Sequence, residues 1–70
     1  MKIIQMLPSM AYGDAIGNDV LALYDVLKKN HYETEIYAQN IDPRLPKKLV
    51  SSIEKVPKLK EDDVIIWHMA

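Results

Sequence analysis

The fold of this chain is decided by the stretch Lys2-Ile3-Ile4-Gln5-Met6-Leu7-Pro8-Ser9-Met10-Ala11-Tyr12-Gly13-Asp14-Ala15-Ile16-Gly17, in which a strand pattern gives way to a helical one. Residues 2–7 form an apolar run with β-branched members that is cut off by Pro8, and they predict a buried first strand. A signal peptide is the alternative interpretation of this opening. We disfavour it because no small-residue cleavage site fits well and charged residues continue through the helical pattern that follows.

Residues 14–29 carry the helical part of the pattern, because their apolar side chains are spaced to share one face of a helix. Asp14 is a suitable N-cap residue, and Lys28 and Lys29 complement the negative end of the helix dipole. We therefore predict one amphipathic helix over this range. The apolar stripe consists of Ile16, Val20, Leu23, Tyr24 and Leu27.

Two further strands are predicted beyond the helix. Residues 33–38 alternate in polarity, and residues 63–68 form another largely apolar run. Residues 39–61 fit no regular element, because prolines interrupt them at Pro43, Pro46 and Pro57. The order strand, helix, strand, irregular crossover, strand predicts an α/β fold with a partial Rossmann-like open parallel sheet.

The last predicted strand, at residues 63–68, has no helix after it. A buried parallel strand needs cover on both faces, so we expect the chain to be the first part of a larger, truncated N-terminal domain. A chain of 70 residues buries only about 60% of its unfolded surface, which makes its core marginal. We also expect the exposed edge of the sheet to favour self-association.

Composition argues against several classes of function. The formal net charge is −1, so no nucleic-acid or membrane surface is predicted. No apolar run reaches the roughly 18 residues of a membrane span. There is no cysteine, and the two histidines, His31 and His68, are far apart in the sequence. We therefore predict no metal site.

The loop before the helix is the main candidate site. Gly13 and Gly17 are the only glycines in the chain, and with Asp14 they surround a helix start, where free N–H groups suit a phosphate. Neither the dinucleotide fingerprint nor the P-loop motif is present. An ordinary strand-to-helix turn, with Gly17 packed against the sheet, is the alternative. The negative charges of Asp14 and Asp19 also argue against a simple anion site.

His68 is the second candidate. It lies at the carboxyl end of the last predicted strand, on the same edge of the sheet as the Gly13 loop, where open α/β sheets bind ligands. Its ring can form a hydrogen bond with a sugar hydroxyl or a phosphate. The alternative is a strand-end histidine that makes a structural hydrogen bond.

The chain resembles the opening of GT-B glycosyltransferases of the retaining, glycogen-synthase-like group (family 4). The resemblance is carried by Ile3-Ile4-Gln5-Met6-Leu7-Pro8, by Gly13-Asp14-Ala15-Ile16-Gly17-Asn18-Asp19-Val20-Leu21, by Asn30-His31-Tyr32-Glu33-Thr34-Glu35-Ile36-Tyr37, and by Asp63-Val64-Ile65-Ile66-Trp67-His68. It implies a two-domain cytoplasmic enzyme that moves a sugar from a nucleotide-diphosphate sugar to a carbohydrate or lipid acceptor, without a cofactor or metal. The N-terminal domain of such enzymes mainly holds the acceptor, and the second domain, absent from this chain, carries most of the nucleotide site.

The resemblance implies that the donor diphosphate lies near Gly13, Asp14 and Gly17 and that the transferred sugar contacts His68. One departure is that Asp14-Ala15 stand where the family has a Gly-Gly pair, which argues against direct diphosphate contact. We expect the isolated chain to be inactive. A small non-catalytic α/β binding or self-associating module is the alternative function.

Overall fold

The computed structural model describes residues 1–46 and 48–68, and it has an α/β fold with one helix and a four-stranded sheet. The strand order is β3-β2-β1-β4, and every neighbouring pair is parallel. The predicted α/β class and parallel sheet are therefore confirmed. The elements are β1 (Lys2–Met10), α1 (Ala15–Lys29), β2 (Glu33–Ile41), β3 (Ser51–Ser52) and β4 (Val64–Trp67).

The first strand is longer than predicted, because β1 continues through Pro8 to Met10. Over Ile3–Met6 this strand has β2 on one side and β4 on the other, and among the residues that the structure describes only β2 pairs with it beyond Met6. Proline lacks the N–H that a strand ladder uses, and Pro8 is missing from the register between the pairs Leu7–Ala38 and Ser9–Asn40. Pro8 therefore interrupts the ladder locally without ending the strand.

The stretch predicted to be irregular, residues 39–61, contains parts of two strands. β2 extends to Ile41, and Ser51–Ser52 pair with Tyr37 and Ala38 as β3. A single 3-10 turn, Ile53–Lys55, follows. A strand of two residues has no periodicity that sequence analysis can detect, and this is why β3 was not predicted.

The predicted helix is confirmed almost to the residue. Asp14 has the extended conformation of an N-cap residue, with φ −75° and ψ 144°, although its side chain makes no capping hydrogen bond. The basic pair Lys28 and Lys29 occupies the last turn. After it, His31 takes a positive φ of 64° and allows the chain to reverse into β2.

The main core lies between α1 and the face of the sheet that carries Gln5 and Leu7. The Gln5 amide reaches the helix itself, since its Nε2 donates to the Val20 carbonyl at 3.1 Å. Thr34 is the other buried polar side chain, and its Oγ1 donates to the Ile3 carbonyl at 2.8 Å. The apolar core consists of Leu7, Met10, Val20, Ile36, Ala38, Leu45 and Val50.

The opposite face of the sheet carries Ile4 and Tyr37, which are also buried. β3 and β4 lie at opposite edges of the sheet, so the connection between them has to cross one face of the sheet. Because α1 covers the face that carries Gln5 and Leu7, the connection crosses the opposite face. The end of this crossover is fixed by Asp63, whose carboxylate accepts the N–H groups of Lys2 at 2.9 Å and Lys60 at 2.8 Å. These two N–H groups, with Lys60 contributing most, lower the pKa of Asp63.

Tyr37 makes the far face sensitive to alkaline pH. Burial, helped by the neighbouring Glu35 carboxylate that accepts its hydroxyl proton at 2.8 Å, raises the pKa of Tyr37 to about 12. Because the unfolded value is about 10, the stabilisation is fully present below pH ~10 and is lost as pH rises through the folded value.

We therefore predict that ultraviolet titration of the four tyrosines detects one that ionises near pH 12. Tyr37→Phe should remove this late component, and Tyr32→Phe, at an exposed position, should leave it unchanged. A late component that persists in Tyr37→Phe would contradict the assignment.

Candidate functional site

The loop between β1 and α1 forms a tight turn centred on Gly13. Gly13 has a φ of +78°, a left-handed conformation that residues with a Cβ rarely adopt. The Asp14 N–H donates to the Ala11 carbonyl at 3.4 Å, and the Asn18 N–H donates to the Asp14 carbonyl at 2.9 Å, which begins the helix. The N–H groups of the first helical turn precede this bond and have no partner within the helix.

Gly17 has a different role from Gly13. It is buried on the first turn of α1, and a Cβ at this position would lie 2.9 Å from the Ala11 carbonyl oxygen. The missing side chain thus allows the helix to approach the loop closely. Gly17 is therefore a packing residue, and it also lines the cavity beside this turn.

A clasp built on Asp42 holds this loop against the end of β2. Asp42 Oδ2 accepts the Tyr12 N–H at 3.2 Å and the Arg44 Nη2 at 2.8 Å, and Oδ1 accepts the Arg44 N–H at 2.9 Å. The Arg44 guanidinium also lies 5.1 Å from the centre of the Tyr12 ring. Its hydrogen bonds to Asp42 hold the pKa of that carboxyl well below its usual range.

Sequence reasoning missed this clasp. An aspartate that precedes Pro43 by one residue and Arg44 by two is a recognisable signal for a local side-chain turn. Its contact with Tyr12, which is 30 residues away, depends on the pairing of β1 with β2 and has no local signal.

A cavity of about 430 Å³ opens beside the Gly13 turn. Its walls come from the loop, from the first half of α1 and from the segment that follows β2. Most of the lining is apolar, and the side chains of Tyr12 and Asn18 supply polar groups. The lining includes Tyr12, Gly13, Asn18, Leu21, Leu45 and Leu49.

His68 lies immediately after β4 and is bound to β1 by two hydrogen bonds. Its N–H donates to the Met6 carbonyl at 2.8 Å, and its Nε2 lies 2.8 Å from Gln5 Oε1. Gln5 is completely buried. Sequence reasoning missed Gln5 too, although a single amide within an apolar strand is a usable signal, because buried polar groups need partners.

The four predicted site residues all lie on the carboxyl side of the sheet, but they form two groups. Gly13, Asp14 and Gly17 surround one turn beyond Met10. His68 is level with Leu7, because Trp67 pairs with Met6. At a rise of about 3.3 Å per residue, the end of β1 at Met10, where the loop follows, is about 10 Å further along the strand direction. The hydrogen bonds of His68 go to β1 rather than to the loop.

Within residues 1–46 and 48–68, no group of three or more acidic, histidine or cysteine side chains could hold a metal ion. In the same part of the chain, no helix is long and apolar enough to cross a membrane. No protein-family model, curated protein or solved structure matches this chain.

The two glycines should respond differently to substitution. Gly17→Ala gains about 1 kcal/mol of helix propensity, but overpacking against the Ala11 carbonyl costs roughly 1–3 kcal/mol, so we expect net destabilisation. Gly13→Ala meets no neighbouring atom, yet the left-handed conformation costs it roughly 1–2 kcal/mol.

Urea unfolding of both variants measures these costs, and Gly13→Asn is the matched control. Asparagine tolerates a positive φ, so Gly13→Asn should be closer to wild type than Gly13→Ala. A Gly17→Ala variant that is more stable than wild type would contradict the close approach of α1 to the loop.

Proposed function

We propose that this chain is the N-terminal, acceptor-side part of a GT-B glycosyltransferase that moves a sugar from a nucleotide-diphosphate sugar to an acceptor. The observation that carries the proposal is that the Gly13 turn and His68 both lie on the carboxyl side of one parallel sheet. The strand order β3-β2-β1-β4 also agrees with the first four strands of a Rossmann-like sheet, which in sequence order run 3-2-1-4.

The Gly13 turn suits a polar ligand that approaches the start of α1. Free N–H groups and the positive end of the helix dipole favour acceptor atoms there. The Asp14 carboxylate makes no capping hydrogen bond and adds negative charge at the same position. This charge weakens direct contact with a diphosphate, which agrees with a role for the turn beside the donor rather than as its main binding site.

The cavity beside the turn suits the acceptor. Its volume of about 430 Å³ is within the range of small-molecule sites, which are mostly apolar with a few polar groups. Leu21, Leu45 and Leu49 supply aliphatic side chains to its lining, which also includes Tyr12. We therefore favour an acceptor with an apolar portion, either the C–H face of a sugar ring or a lipid.

The remaining parts of the proposal follow from the resemblance. A second domain would carry most of the nucleotide site, so residues 1–70 alone would bind the donor weakly and would not complete transfer. We place the enzyme in the cytoplasm and expect transfer to need neither a cofactor nor a metal ion.

The test is sugar transfer by the protein expressed from the complete reading frame that contains these residues, with a panel of labelled uridine- and guanosine-diphosphate sugars. We expect His68→Ala to reduce kcat on the order of 10²-fold, as the loss of one preorganised polar group does. His31→Asn is the control, because asparagine tolerates the positive φ at this position. Absence of transfer from every donor, or wild-type rates in His68→Ala, would refute the proposal.

A small self-associating module is the second candidate, and the β4 edge is the observation that favours it. Val64, Ile65 and Trp67 are 42%, 44% and 48% exposed on a strand whose outer side has no partner among the described residues. If β4 pairs antiparallel with β4 of a second copy, so that the two Ile66 residues lie opposite each other, Ile65 of one copy lies beside Trp67 of the other on the same face of the joined sheet.

Sedimentation velocity tests the self-associating module. The module predicts a species of twice the 8.1 kDa chain mass, which Trp67→Lys should convert to monomer because a charge in an edge strand opposes pairing. Val26→Lys, at an exposed position on α1, should leave the dimer intact. A wild-type chain that sediments as a monomer would exclude the module.

A further inference from the structure

Gln5 is the one amide side chain in the buried part of β1, and both its NH₂ group and its carbonyl oxygen form hydrogen bonds. It is completely buried, where an unpaired amide would be costly. Its Nε2 donates to the Val20 carbonyl at 3.1 Å, and its Oε1 lies 2.8 Å from His68 Nε2. One side chain therefore links the helix, the central strand and the residue that follows β4.

The orientation of this amide follows from its partner on the helix. The Val20 carbonyl oxygen can only accept a hydrogen bond, so the NH₂ group of Gln5 has to face it. Oε1 then faces His68, and because that oxygen only accepts, His68 Nε2 has to donate. The proton on Nε2 is thus assigned by the hydrogen-bond network.

In a neutral imidazole one nitrogen carries the proton and the other accepts. With the proton on Nε2, Nδ1 of His68 is a bare acceptor. Among residues 1–46 and 48–68, Nδ1 has no hydrogen-bond partner, and the residue is partly exposed. No buried side-chain nitrogen or oxygen among the described residues lacks a partner, so Nδ1, which has none in that part of the chain, is accessible to a ligand at the carboxyl side of the sheet.

We propose that Gln5 is a positioning residue that holds His68 in the Nε2–H tautomer, so that Nδ1 accepts a hydrogen bond from a ligand hydroxyl. A phosphate oxygen that also only accepts would be repelled by Nδ1. The site next to β4 therefore selects hydroxylated ligands over acceptor-only anions. The identity of the hydroxyl as that of a sugar rests on the proposed function, whereas the tautomer does not.

The first experiment reads the tautomer directly in the ¹⁵N-labelled chain, from long-range ¹H–¹⁵N spectra recorded where both histidines are neutral. His31 is exposed and serves as an internal reference for an unconstrained ring. We expect a larger separation between the two ¹⁵N shifts for His68 than for His31, with Nε2 protonated. A protonated Nδ1 in wild-type His68 would overturn the proposal, and this measurement needs no variant.

Gln5→Met then tests the positioning role. It keeps the length and burial of the side chain but removes both hydrogen bonds, so the ¹⁵N separation of His68 should fall to that of His31. Gln39→Met, at an exposed position in β2, is the control and should leave the His68 shifts unchanged. An unchanged His68 pattern in a folded Gln5→Met variant would overturn the proposal.

The ligand class is tested by titration of the wild-type chain with methyl α-glucoside and, separately, with inorganic sulfate. The glucoside should shift His68 Nδ1, and sulfate, which can only accept, should not. A shift with sulfate alone would overturn the inference. If the tautomer is as expected but neither probe shifts Nδ1, the positioning role of Gln5 is supported and the hydroxyl contact at Nδ1 fails for residues 1–70, whereas the proposed function is decided by the transfer assay on the complete reading frame.

Discussion

The parallel pairing of β1 with β2 is the constraint on which the rest of this structure depends. Parallel neighbours cannot be joined by a tight turn, so the chain has to return along the sheet between them. α1 makes that return, and it packs closely enough only because Gly17 has no side chain to meet the Ala11 carbonyl. The apolar core, the Gly13 turn and the Asp42 clasp all follow from this one crossover.

The unequal lengths of the strands on either side of β1 create the site. β2 pairs with β1 up to Met10, whereas β4 stops at Met6. Among residues 1–46 and 48–68, only β2 pairs with the last residues of β1, and His68 lies lower along the sheet than the Gly13 loop. A ligand that contacts both would have to span about 10 Å along the strand direction, as estimated from the rise per residue.

Sequence patterns predicted the elements with a clear periodicity and missed those without one. The stripe from Ile16 to Leu27 predicted α1, and the alternation around Ile36 predicted β2, because each reflects burial on one face. β3 has only two residues, and its place in the sheet is set by pairing with Tyr37 and Ala38 rather than by its own sequence. The Asp42 and Gln5 contacts join segments that are distant in sequence, so only the assembled sheet reveals their partners.

The charges at the site favour a hydroxylated ligand more consistently than an anionic one. The negative charge of Asp42 is neutralised by Arg44, but the carboxylate of Asp14 makes no capping hydrogen bond. With Gln5 holding the proton on Nε2 of His68, as inferred above, Nδ1 becomes a second hydrogen-bond acceptor on the carboxyl side of the sheet. These two acceptors match hydroxyl groups, which donate, and the free N–H groups at the start of α1 match the same groups, because a hydroxyl oxygen also accepts. This chemistry agrees better with the acceptor side of a sugar transferase than with a diphosphate cradle, since an apolar cavity lies beside one of the two acceptors.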